Sequence, residues 1–99
     1  MNSFGSYIRE KREGLHADDK SKSLRQVAIT IGVEPAFLSK VERDIVSPPS
    51  EGKIIALAEV LNEDPDLLLA MAGKVSSDLL AIVKARPQLI GELLRELKE

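Results

Sequence analysis

A chain of 99 residues, 43% apolar and without cysteine, suits one domain with a short appendage and excludes a disulfide framework or a thiolate metal site. Aromatic residues make up only 3% of it, so the core has to be built from Leu, Ile, Val and Ala, which favours helices. The net charge of −2 argues against wholesale electrostatic attachment to nucleic acid. Residues 1–47 nevertheless hold eight Lys/Arg against seven Asp/Glu, and residues 48–99 six against nine, so any basic surface must be a local face of the first half.

In chain order, Phe4, Ile8 and Leu15 recur at helical spacing with Tyr7 beside them, predicting a first helix that Gly14 ends or frays. Residues 16–22 are polar and read as an exposed loop. Ser23-Leu24-Arg25-Gln26 has the form of a capping box, with the serine hydroxyl on an early N–H and Gln26 reaching back to Ser23. Leu24, Val27, Ala28 and Ile31 then form an apolar stripe that Gly32 stops. Pro35 suits the first turn of the next helix, whose buried side is Phe37, Leu38 and Val41, and Arg43 with Asp44 closes it. Ser47-Pro48-Pro49-Ser50 is an extended connector, and Ser50 is expected to cap a helix carrying Ile54, Leu57, Ala58 and Leu61. Asp64-Pro65 opens a short helix that Gly73 ends. Ser76 or Ser77 starts a sixth segment, through Leu79, Leu80, Ile82 and Val83, which Pro87 interrupts. A last helix has Leu89, Ile90, Leu93, Leu94 and Leu97 on one side. The five helices to Gly73 form a closed unit, and the two after it are an addition with an apolar face to hide. No secretory signal is visible at Met1-Asn2-Ser3-Phe4-Gly5, and the longest apolar runs, such as residues 67–72, are too short for a bilayer; a cytoplasmic location is expected.

Residues 24–43 are two short helices joined by a tight turn containing glycine, the helix-turn-helix pattern. The helices cross steeply, so the first needs a small residue at the crossing, and Ala28 is placed there. Gly32 supplies the positive φ that the turn favours. Leu38 and Val41 anchor the second helix, which leaves Ala36, Lys40 and Arg43 facing outward with Ser39 between. A helix is about as wide as the B-DNA major groove, roughly 12 Å, so one that protrudes this way can enter it.

With these motifs in view, the chain resembles the Cro- and phage-repressor-like (Xre) helix-turn-helix family over about residues 4–73. The resemblance is carried by Phe4-Gly5, Ile8-Arg9, Lys11-Arg12, Ser23-Leu24-Arg25-Gln26-Val27-Ala28, Ile31-Gly32-Val33, Leu38-Ser39-Lys40-Val41-Glu42-Arg43, Pro49-Ser50 and Leu57-Ala58 with Leu61. It implies an all-α fold: a five-helix lambda-repressor-like DNA-binding domain (1–73) and two C-terminal helices (74–99) for packing or dimerisation. It further implies that Pro35, Ala36 and Lys40 contact bases, joined by Glu34. Phe37 and Ser39 then touch the sugar-phosphate backbone. Ser23, Arg25 and Gln26 abut phosphates at a helix N-terminus, Arg43 reaches a phosphate, and Arg12 and Glu42 form a structural ion pair. Three departures stand out. Leu24 replaces a usual glutamine, Glu34 a usual serine or threonine cap, and Asp44 the glycine that usually follows the Glu-Arg pair.

The remaining polar residues carry no chemistry of their own. His16 has no partner in view, Asp18-Asp19 lacks calcium-loop spacing, and no His-Asp/Glu constellation could activate a serine; no enzyme, metal or cofactor is expected. The last apolar stripe could pack on the core or form a dimer interface through Leu89, Ile90, Leu93, Leu94 and Leu97. Family members commonly bind pseudo-palindromic operators in double-stranded DNA as homodimers, with half-sites about 34 Å apart, which favours the dimer. The expected function is a dimeric transcriptional regulator, acting as a repressor. The alternative is an antitoxin or similar interaction module whose C-terminal helices bind a protein partner such as a toxin.

Overall fold

The computed structural model describes residues 3–98. Within them the chain forms helices α1 (Phe4–His16), α2 (Leu24–Ile31), α3 (Pro35–Glu42), α4 (Glu51–Val60), α5 (Pro65–Met71), α6 (Ser77–Ala85) and α7 (Gln88–Lys98), with no strand. The all-α architecture is the expected one.

Helix α1 starts at Ser3, whose hydroxyl accepts the Ser6 N–H at 3.1 Å. It runs past Gly14 to His16, where the sequence suggested a stop. An interior glycine costs at most about 1 kcal/mol, and Leu15 packs against the core and holds the final turn in place. The segment read as a loop also contains structure: Asp19 accepts from the Ser21 N–H at 2.9 Å and sets up a 3-10 turn over Lys20–Lys22. That turn changes the cap of α2. Ser23 Oγ accepts from Gln26 N at 3.2 Å, as expected of a capping box. The reciprocal position is already taken, because the Ser23 N–H donates to the Lys20 carbonyl. Ser50 likewise occupies the N-cap position of α4 but makes no side-chain cap bond.

The core is one cluster. Phe4 and Ile8 of α1 meet Val27, Ala28 and Ile31 of α2, Leu38 and Val41 of α3, Ile54, Leu57 and Ala58 of α4, Leu61, and Leu68 and Leu69 of α5. Every one of these residues precedes Gly73. Helices α6 and α7 contribute no buried residue. Ser76 caps α6 by accepting from Leu79 N, and Glu51 at the start of α4 accepts from the Ser77 backbone and hydroxyl at 2.7 and 2.6 Å. The α6–α7 arm is therefore tied to the body through polar groups while its leucines stay outside. The radius of gyration is 15.4 Å, with extents of 45 × 26 × 25 Å, against about 13 Å for a compact chain of this length.

Candidate DNA-reading face

The corner between α2 and α3 is a left-handed residue. Gly32 has φ +79°, and its N–H returns to the Ala28 and Ile29 carbonyls. A Cβ at Gly32 would stand 2.9 Å from Lys53 Nζ, and that ammonium donates to the Ile31 carbonyl at 3.0 Å and to the Gly32 carbonyl at 3.3 Å. A lysine of α4 thus caps the negative end of α2. Ala28 is fully buried.

From this corner α3 packs on α1 and α2. Leu38 and Val41, 1% and 2% exposed, turn inward. Glu34, Ala36, Lys40 and Arg43 are exposed; Pro35, Phe37 and Ser39 are half-buried. Phe37 packs against the core cluster, so only part of its ring is open. Glu34 makes no side-chain cap bond and its carboxylate stays outside the helix. Arg25 and Gln26 are exposed and Ser23 half-buried, at a helix start with no acidic residue in its first turn. The partial positive charge of that terminus is left unneutralised from within. The candidate DNA contacts are therefore open on the outer side of α3 and at the start of α2, and the two helices meet where Leu24, Ser39 and Arg43 line one notch.

Three contacts hold this side in place. Arg12 Nε and Nη2 donate to Glu42 Oε2 and Oε1 at 2.6 and 3.0 Å, and Nη1 donates to the Lys22 carbonyl at 3.3 Å. Both side chains are buried, so the fork joins α1, α3 and the 3-10 turn in a dry setting, where charge-assisted bidentate pairing is most directional. Asp44 adopts φ +57° in place of the expected glycine. Its carboxylate accepts from Ser3 Oγ at 2.5 Å and Gly5 N at 3.0 Å, placing a negative charge on the N-terminus of α1. Gly5 permits this approach: a Cβ there would lie 2.4 Å from the Val41 carbonyl oxygen. Lys22, finally, donates to the Val60 carbonyl at the end of α4, 2.9 Å away.

Sequence reasoning overlooked Arg9. It lines, with Arg12, Glu13, Leu24, Ser39, Glu42 and Arg43, a notch of about 210 Å³ between α1, the start of α2 and the end of α3. The signal was available, since Arg9 lies three residues before Arg12 on the same helix face. Arg9 pairs with Glu13 at 3.5 Å in the open. Arg43 folds back to donate to the Ser39 carbonyl at 3.3 Å.

A family model described as helix-turn-helix matches residues 8–68. The chain belongs to the Cro-like helix-turn-helix family. The matched span runs from α1 into α5, so it takes in the Gly32 corner, both helices of the motif and the Arg12–Glu42 pair. This helix-turn-helix chain accordingly carries a DNA-binding regulatory domain. No curated protein and no solved structure gives a significant match. Among the described residues no helix is long and apolar enough to cross a membrane, and no three His, Cys, Asp or Glu side chains cluster as metal ligands would.

Proposed function

We propose that this regulator is a repressor that binds a pseudo-palindromic operator as a homodimer, each protomer placing α3 in a major groove and blocking promoter DNA by occupancy. The observation that carries the reading is the division of α3, with Leu38 and Val41 locked inside while Ala36 and Lys40 stand open. In this reading residues 1–73 form the DNA-binding unit and residues 74–99 the dimerising extension, and the protein acts in the cytoplasm beside its DNA. Pro35, Ala36 and Lys40 meet base edges, Lys40 as donor to guanine. In the same reading Glu34 accepts from a cytosine amino group. Ser39 and the open edge of Phe37 lie against the sugar-phosphate backbone. Ser23, Arg25 and Gln26 present the α2 N-terminus to a phosphate, and Arg43 reaches a second one. Leu89, Ile90, Leu93, Leu94 and Leu97 join the protomers.

A gel shift on the DNA upstream of the protein's own coding region tests this. Lys40→Ala is expected to weaken the shift by about 1–3 kcal/mol and to relax sequence preference at one position. Arg43→Ala is expected to weaken specific and non-specific DNA alike and to lower the salt slope by about one. Parent-like binding by both variants would show that this side of α3 does not read DNA.

The exposed leucines of α6 and α7 favour a second reading, in which the arm binds a different protein and the chain serves as an antitoxin or similar module. Sedimentation of the purified chain separates the two, a lone monomer favouring the second.

A further inference from the structure

Helices α4, α5 and α6 enclose an open groove of about 490 Å³. Its floor and walls include Ile55, Leu69, Leu79 and Ile82, and Asp66 and Asp78 stand among its lining residues. Three of the four apolar side chains keep large exposure: Ile55 at 42%, Leu79 at 47% and Ile82 at 52%. No residue of the chain's own α7 lines the groove, although α7 carries the apolar stripe with most to gain from covering it. Ile90, Leu93, Leu94 and Leu97 are 45–73% exposed.

One edge of the α7 stripe suits the groove in charge as well as in polarity. At 100° per residue the α7 stripe is centred between Leu93 and Leu97, and its edges differ in sign. Glu92 and Glu96 flank the Leu89 edge and Lys98 follows the Leu94 edge, while Arg95 lies on the side of α7 away from the stripe. The basic edge is the one that suits Asp66 and Asp78. The area needed by a stable dimer points the same way. Helix α7 has 11 residues, so one face covers roughly 16 Å by 10 Å. Two such faces laid together, even doubled for side-chain relief, fall well short of the about 800 Å² per partner of a standard interface. An exchange in which each protomer gives its α7 and receives the other's doubles the contact, and it hides the groove at the same time.

Resting on the dimer reading above, we infer that the groove between α4, α5 and α6 is the seat of α7 from a second copy of this chain, so that the dimer is closed by reciprocal helix exchange. The exchange is isologous: the same donor helix and the same acceptor groove occur on both sides, and it ends at two copies.

The absence of native cysteine makes crosslinking the direct test. Two full-length variants, Ile55→Cys and Leu93→Cys, each alter an exposed side chain. They are treated separately and as an equimolar mixture with a short bismaleimide, and the parent is run in parallel by sedimentation velocity. Reciprocal exchange gives a dimeric parent and a covalent dimer in the mixture only. Covalent dimer from Leu93→Cys alone, with none gained on mixing, would mean that α7 pairs with α7; that outcome overturns the exchange and leaves the dimer reading standing. A dimeric parent with no covalent product in any tube puts the interface elsewhere and overturns both α7 assignments. A monomeric parent overturns both readings and gives the groove to a different protein.

Discussion

Glycines in one helix can have opposite meanings, and α1 contains an example. A Cβ on Gly5 would meet the Val41 carbonyl oxygen at 2.4 Å and Asp44 Oδ1 at 2.5 Å, whereas one on Gly14 would meet nothing within 4 Å. Gly5→Ala is expected to lower stability by about 1–3 kcal/mol, because backbone atoms must give way. Gly14→Ala is expected to raise it by about 0.5–1 kcal/mol through helix propensity. Urea unfolding of the two variants beside the parent checks both signs at once. The buried fork is the other residue-scale determinant. Glu42→Ala leaves Arg12 charged and dry with only the Lys22 carbonyl, for which a cost of about 3–5 kcal/mol is expected. Replacing both members together by apolar residues of similar volume should recover most of the loss, which thermal melts of the single and double variants would reveal. Sequence alone could place Arg12 and Glu42 as partners only through resemblance. Their 30-residue separation hides the pairing, and the same holds for Asp44 with Gly5 and Lys53 with Ile31.

Between elements, α1 is latched to the α4–α5 connection by Tyr7, whose hydroxyl donates to Glu63 Oε2 at 2.5 Å. The bond holds the Glu63 carboxyl below its ordinary value of 4.5, helped by the Asp64 N–H and opposed by partial desolvation. The same bond raises the Tyr7 phenol above 10.0, with desolvation and the carboxylate charge adding to it. The signs are opposite at the two ends of the scale. A lowered folded pKa gives stability that is complete above about pH 4.5 and is lost as pH falls through the folded value. A raised one gives stability present below about pH 10 and lost as pH rises through the folded value. The latch is therefore fully engaged between these limits. In Tyr7→Phe the Glu63 carboxyl should titrate closer to its ordinary value, and stability should depend less steeply on pH below 4.5. Carboxyl-carbon NMR titration and acid unfolding curves measure the two. An unchanged Glu63 titration would show that the latch does not hold in solution.

For the whole molecule, the division of burial sets the expectation. All core residues lie before Gly73, and α6 and α7 lend none. A chain ending at Gly73 should keep a cooperative thermal transition within a few degrees of the parent's, and it should sediment as a monomer. Loss of the transition would mean that the arm supports the core through contacts beyond the Glu51–Ser77 tie. Retention of a dimer would move the interface into the first five helices. Either result is read in one calorimetry and one sedimentation run.

The elements themselves were legible in the chain. Leu24, Val27, Ala28 and Ile31 announce a buried helical face, Gly32 a left-handed stop, and Pro35 a new first turn, because periodicity, caps and φ preferences are local properties that neighbouring residues dictate. What the local pattern could not contain was decided by packing and by competition among backbone groups. Leu15 carried α1 through Gly14, and the Lys20 carbonyl took the Ser23 N–H from Gln26. Lys22 and Lys53 went to helix ends and not to an open basic face, and the stripe of α7 was left uncovered beside a groove it does not fill. Each of these depends on which side chain arrives from 20 or more residues away, or on which backbone group reaches a donor first. Only the packed chain settles that.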